Sequence, residues 1–398
     1  MIKNKLIILS LIGLSFISCN LKNGKIENIR KGELNPTVEL IKVEEKKFIL
    51  DSNTAPQPQY TQLYQDSSYK RKFTFLNTYT NSIYIYDYET AEYIREISYD
   101  KEGPNGIQRP MGYLIKNLDS IYIFDQLTNS LILSNDDGKV KNKISLIGDK
   151  DPKNTEWSLS YPQYYPLTVA PLIETTQELL FTGMYAWAIP DSLLEKFHFT
   201  SRIDLSSSKV SFGHGYPATL YGSEFNWDDP IYTAVYSDLH PDGNKLIYSF
   251  PVSHDLYLAN LDSSLYKTFY GGSNFAGTIS SLEEKKSSPS HAEMGVHIAG
   301  TDLYGGIKYD KYRKVYYRFL RNAMSDVSKD SNWKEKPLSV IIMDKDFNYL
   351  GETNIGTLKN YNWENSFVSK EGLNIEYLHE NDINEVYLSL HIFVPEEI

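Results

Sequence analysis

Along residues 81–90, NSIYIYDYET, four apolar side chains (Ile83, Tyr84, Ile85 and Tyr86) follow one another without a polar break. Successive side chains of a strand point to opposite faces, so this run needs cover on both sides. Residues 119–128, DSIYIFDQLT, repeat the pattern 38 residues later and match it at six of ten positions, including Ser82 with Ser120 and Asp87 with Asp125. The signature, two mostly polar residues and then three apolar ones, continues at QELLF from Gln177, NKLIY from Asn244, RKVYY from Arg313 and NEVYL from Asn384. Six copies are present.

Turn segments separate these runs from neighbouring strand-like runs: NDDG at 135–138, HPDG at 240–243 and DKDFN at 344–348. They predict antiparallel hairpins. Short antiparallel sheets that are apolar on both faces, recur, and have no alternating helices are best satisfied by stacking around an axis. The predicted fold is therefore all-β, a β-propeller of six blades, with a seventh, degenerate blade left open.

The chain runs out after NEVYLSLHIFVPEEI, while VELIKVEEKKFIL at 38–50 reads as strand with no blade of its own. The N-terminal strand is thus expected to join the C-terminal blade and close the ring, removing two exposed edges. Later copies lie 58 to 71 residues apart, more than the ~40–50 residues of common propeller repeats. Insertions at AWAIPDSLLEKF, GGSNFAGTISSLEEKKSSPSHAEMG and LRNAMSDVSKDSNWKEKP fill the excess.

Composition adds compartment to this picture. The chain has 398 residues, 41% of them hydrophobic, with 32 tyrosines suited to pleated, half-buried surfaces. Residues 1–18 combine Lys3 and Lys5 with a short apolar run, which predicts a secretory signal peptide. Cys19, the one cysteine of the chain, follows directly. It sits as in the lipobox of bacterial lipoproteins, although Phe16 replaces the usual leucine there. Lipidation at Cys19, a flexible tether over 19–36 and one propeller domain over 37–398 are expected. Stability must then come from packing, because one cysteine cannot form an internal disulfide.

The formal charge is −11, and −13 without residues 1–18. An acidic chain without a Lys/Arg cluster does not fit nucleic acid or anionic lipid surfaces, so membrane attachment would run through the lipid. Together the FISC start, EGPNGI after the first clear blade, the SIYI repeat and KYDKYRKVYYRF make the chain resemble an uncharacterised family of bacterial cell-envelope lipoproteins. That resemblance implies a six-bladed propeller-like domain of unknown function and an extracytoplasmic place, at the outer membrane on its periplasmic or surface face. It implies no catalytic residues.

The chemical candidates are few. DKEGPNGIQRP at 100–110 has the glycines of a phosphate loop, but it runs into the strand-like MGYLIKN rather than a helix N-terminus. It reads as a connector from the outer strand of one blade to the inner strand of the next, from which Glu102, Asn105 and Arg109 can still reach a ligand. SNDDGKVK partly matches the turn-stabilising Asp-box of sialidase-like propellers. The eight histidines show no metal-binding spacing, and most are expected in loops or on the surface, with no metal and no cofactor. No G-x-S-x-G elbow occurs.

Aromatic insertions carry the remaining functional expectation. Tyr185 and Trp187 in MYAWAIP can stack on sugars or grip a peptide, with local packing an equal alternative. For Trp227, Tyr361 and Trp363 local packing is expected. The sequence thus predicts a binding protein for a protein, peptide or glycan at one mouth of the ring rather than an enzyme. The alternative is a cell-envelope glycan hydrolase or lyase that uses carboxylates and tyrosines in the funnel.

Overall fold

The computed structural model describes residues 24–55, 57–283, 289–379 and 386–398. Six four-stranded antiparallel sheets stand around an axis, and the first five run from an inner to an outer strand in chain order. Blade 1 is Thr61–Gln65, Arg71–Asn77, Ser82–Asp87 and Tyr93–Ser98, and blade 2 is Pro110–Asn117, Ser120–Asp125, Ser130–Ser134 and Val140–Ser145. Blade 3 is Ile173–Glu174, Glu178–Thr182, His198–Asp204 and Val210–Gly215; blade 4 is Tyr236–Leu239, Lys245–Ser249, Asp255–Asn260 and Tyr266–Tyr270. Blade 5 is Leu303–Asp310, Val315–Arg321, Pro337–Asp344 and Tyr349–Thr357. Blade 6 takes Tyr361–Val368, Leu373–Tyr377 and Tyr387–Glu397 from the C-terminal end and Val38–Ile49 as its outer strand.

Closure therefore occurs as the unmatched N-terminal strand predicts. Val38 faces Glu397 and Ile49 faces Tyr387, with one register shift between Lys42 and Glu44. The same strand leans on blade 5, where the Leu40 amide donates to Thr353 Oγ1 at 2.7 Å. Beyond it, the expected tether is docked rather than free from Gly24 onward. Lys25–Ile26 pairs with Ile279–Ser280, Asn28 Nδ2 donates to the carbonyls of Ser273 and Ala276, and Leu34 is buried. Backbone pairing and one buried apolar anchor hold a segment whose composition reads as linker. Residues 19–23, with Cys19, lie outside the described residues, as does the signal segment.

All six signature copies fall on middle strands of separate sheets, but not on the same strand. In blades 2 to 5 the signature is the second strand; in blades 1 and 6 it is the third. The pattern reports burial on both faces, which both middle strands share, and not position within a blade. The faces separate cleanly in blade 1. Ile83 and Ile85 join Ile121, Ile123 and Ile132 of blade 2, whereas Tyr84 and Tyr86 join Phe48, Phe367, Leu388 and Leu390 of blade 6.

Aspartates at strand ends organise the hairpins. Asp66, Asp87, Asp125, Asp204, Asp310 and Asp344 each accept backbone amides from the following turn. A left-handed residue follows three or four positions later in each: Tyr69, Ala91, Asn129, Ser208, Lys314 and Phe347. The short carboxylate substitutes for the backbone acceptor that such a turn lacks.

The connection from blade 2 to blade 3, YPLTVAP within 161–171, does what the pattern does not foreshadow. Residues 166–170 reach the axis as a plug gripped by inner strands. Thr168 Oγ1 accepts the Thr61 amide at 2.9 Å and lies 3.2 Å from Asn365 Oδ1, and the Val169 amide donates to the Glu364 carbonyl at 3.1 Å. A Cβ on Gly112 would meet Pro166 at 2.6 Å, and one on Gly306 would meet Val169 at 2.6 Å. Glycine admits the plug at these two contacts.

Candidate functional site

Above the plug lies a cavity of about 780 Å3, with Leu167 in its lining. Its walls come from residues just before or at the start of inner strands: Gln57, Pro58 and Gln59 (blade 1), Ala234 and Tyr236 (blade 4), and Leu358, Tyr361 and Trp363 (blade 6). Loops joining second and third strands add Met184, Trp333, Lys334 and Leu378. These two classes of segment share one face of a propeller, so the cavity is a mouth of the ring.

Two rings stand open at its rim, Trp333 at 47% and Tyr165 at 48% exposure. Deeper, Trp363 is buried against Phe319 and Tyr236, with ring centroids at 5.6 and 5.4 Å. Trp363 fits there because Gly305 opposite has no side chain; a Cβ would meet the indole at 2.7 Å. Burial pushes the Tyr236 and Tyr361 hydroxyls up to about 12, so both remain neutral donors.

The charged groups of the cavity are unevenly satisfied. Arg321, only 6% exposed, lies over the Trp363 ring at 5.3 Å and makes one hydrogen bond among the described residues, from Nη2 to the Tyr304 carbonyl at 3.2 Å. Its Nε has no acceptor among them. Glu364 also lines the cavity, and burial raises its pKa against the opposing pull of Arg321. Behind the wall Glu376 is fully buried and accepts from Asn362 Nδ2 and Asn365 Nδ2, each at 2.7 Å. Burial pushes Glu376 up to about 8, which keeps its carboxyl protonated at neutral pH. Lys336 donates to the carbonyls of Ile298, Ala299 and Thr301 at the C-terminal end of the helix His291–Ala299, and burial with Arg321 nearby lowers it to about 7.

None of the five candidate ligand residues read from the sequence lines this cavity. Glu102 and Arg109 are exposed, and Asn105 is committed to the fold, its Oδ1 accepting the Val140 amide of blade 2 at 3.0 Å. The 100–110 stretch is the connector between blades 1 and 2: Asn81 Nδ2 donates to the carbonyls of Tyr99 and Ile107, and the Arg109 amide donates to Asp125 Oδ1 at 2.9 Å. Tyr185 is buried against Phe197, with Trp187 edge-on to it at 5.7 Å and 46% exposed. Trp363, expected only to pack, packs and also walls the cavity. Arg321 and the plug were missed altogether. The signal for the plug is the proline-punctuated YPQYYPLTVAP, an uninterrupted break in strand pattern between two blades.

The histidines also differ from expectation. Four are at least half-buried and pair through Nδ1 with tyrosine hydroxyls: His214 with Tyr248, His254 with Tyr304, His297 with Tyr232, and His391 with Tyr361, at 2.6 to 2.9 Å. Burial lowers all four pKa values, to about 4 for His254 and His391, so neutral rings accept from buried hydroxyls. Among the described residues no group of three or more His, Cys, Asp or Glu side chains is placed to hold a metal ion.

Comparison with known proteins places this geometry. The sequence profile of DUF4221, described as a domain of unknown function, matches residues 37–354. A DUF4221 member from Bacteroides vulgatus is similar in structure, with a TM-score of 0.77 and 21% identity over 91% of this chain and 99% of that one. A Bacteroides fragilis protein described as a candidate exported protein has a TM-score of 0.50 and 8% identity over 94% of this chain and 98% of that one. No curated protein matches the sequence.

Proposed function

The chain belongs to the DUF4221 family, and from that premise we propose that it is a lipid-anchored, extracytoplasmic binding protein that takes a protein, peptide or glycan ligand in the cavity above the plug. The observation that carries this reading is the cavity itself: about 780 Å3, blind at the plug, rimmed by open aromatic rings and holding an arginine with unused donors. Sites of this size with apolar walls and a few converging polar groups are what small-ligand and chain-end recognition requires. Envelope location is supported by the signal-like segment and Cys19, and by the candidate exported protein among the structural neighbours.

A glycan and peptide array probed with the soluble chain from Lys22 onward tests the ligand reading. Binding to at least one array member is expected, weakened about tenfold or more by Trp333→Ala together with Tyr165→Ala. Binding that survives both substitutions places the ligand elsewhere. Incorporation of a tagged fatty acid by the full chain, lost in Cys19→Ser, tests the anchor.

One observation favours the hydrolase or lyase alternative, the raised pKa of Glu364 inside the cavity. Release of new reducing ends from a bound glycan, abolished in Glu364→Gln, would establish it. Glu376, the carboxyl held behind the wall by two asparagines, is fully buried, which suits structure better than proton transfer to a ligand.

A further inference from the structure

Arg318 and Arg321 lie three residues apart on the second strand of blade 5 and so on opposite faces. Both are buried. Arg318 donates to Ser249 Oγ and to the carbonyls of His254, Gly271, Phe250 and Ser253, at 2.8 to 3.4 Å. Every part of its guanidinium is used. Arg321 offers the same five donors and uses one among the described residues. It has no carboxylate at ion-pair distance among the described residues; its charged neighbours include a second cation, Lys336, and Glu364, whose carboxyl feels its pull without pairing with it. The described residues thus leave most donors of this buried cation without an acceptor.

Resting on the reading of the cavity as a ligand site, we propose that this mouth binds an acidic saccharide whose carboxylate is received by Arg321. A carboxylate is the planar acceptor that matches a guanidinium fork. The saccharide follows from the rest of the lining. Trp333 and Tyr165 offer exposed rings to a sugar, and Gln57 and Gln59 line the cavity, their carboxamides without a hydrogen-bond partner among the described residues. Amides and ring faces together suit hydroxyls and sugar C–H faces. Lys334 adds an exposed cation at the rim, consistent with an anionic chain entering past it.

Calorimetric titration of the chain from Lys22 onward with oligosaccharides of galacturonate, glucuronate and mannuronate, their neutral counterparts and a glutamate-rich peptide tests the proposal. At least one acidic saccharide is expected to bind about tenfold or more tighter than its neutral counterpart, and Arg321→Met is expected to erase that preference. Equal affinity for the neutral sugar, preference retained in Arg321→Met, stronger binding of the peptide, or no binding by any acid of the panel overturns it. Neutral-sugar binding lost in Trp333→Ala would overturn the carboxylate while leaving the ligand site standing.

The unliganded stability of Arg321→Met supplies an independent readout. Removing an unsatisfied buried charge should leave the melting temperature unchanged or raised, as at sites kept for binding rather than folding. A fall of about 5 °C or more would show that Arg321 serves the fold and would overturn the proposal.

Discussion

A Cβ built on Gly306 would stand 2.6 Å from the Cβ of Val169, a distance no packed pair of side chains adopts. The inner strand of blade 5 and the axial plug thus touch backbone to side chain. Replacing Gly306 by alanine must displace one of them, at a cost of about 1–3 kcal/mol. Val169→Gly removes the Cβ in conflict together with its methyls, so the double variant should be more stable than the two single losses add up to. Denaturant unfolding of the four proteins measures this coupling; strict additivity would show that the plug yields freely.

Asp125 joins a hairpin turn to the connector entering its blade. Its carboxylate accepts the Arg109 and Leu127 amides and the Thr128 hydroxyl while almost fully buried. Asp125→Ala leaves these donors unpaired and should cost about 2–4 kcal/mol. Asp66→Ala, at an exposed turn of the same kind, should cost about 1 kcal/mol or less. Equal losses at both sites would contradict the view that burial of the turn sets the energy.

Glu376 gives a pH dependence with a definite sign. Its folded pKa, about 8, lies above the unfolded value near 4.5, so the folded state holds a proton that the unfolded state releases between them. Its contribution is fully present below about pH 4.5 and is lost as pH rises through about 8. Glu376→Gln carries no such proton. The melting temperature of the variant minus that of the wild type should therefore rise from pH 4.5 to 8 and level off above. Buried histidines and Lys336 titrate in both proteins and cancel in the difference. A flat difference would place an ionised carboxylate at Glu376.

Ring closure rests on Val38–Ile49 as the outer strand of blade 6. A chain beginning at Leu50 leaves the long strand Tyr387–Glu397 as an open edge, and should aggregate or lose its cooperative melting transition. A chain beginning at Thr37 keeps closure and loses only the docked stretch before it, so it should remain folded with a modestly lower melting temperature. Light scattering and calorimetry on both truncations decide the matter; a stable, monomeric chain from Leu50 would mean that five and three-quarter blades suffice.

The alternation and doubling of apolar residues determined the class of fold, because a strand with apolar groups on both faces, such as Ile83–Tyr84–Ile85–Tyr86, can be satisfied only between two other sheets. The same logic exposed the unmatched strand at 38–50 and hence the closure. It could not tell a second strand from a third, since both are covered on both faces, and it could not see that the polar stretch from Gly24 onward is held by backbone pairing, which leaves no mark in side-chain pattern. The site lay further out of reach. Arg321 stands one step from Leu320 in an ordinary strand, and only the packing of six blades shows that its neighbour Arg318 is surrounded by carbonyls while Arg321 faces a cavity floored by a loop from 150 residues earlier. Local sequence fixes what each strand must bury; which polar groups are left without partners depends on what the ring brings to its axis, and that is decided only when distant segments meet.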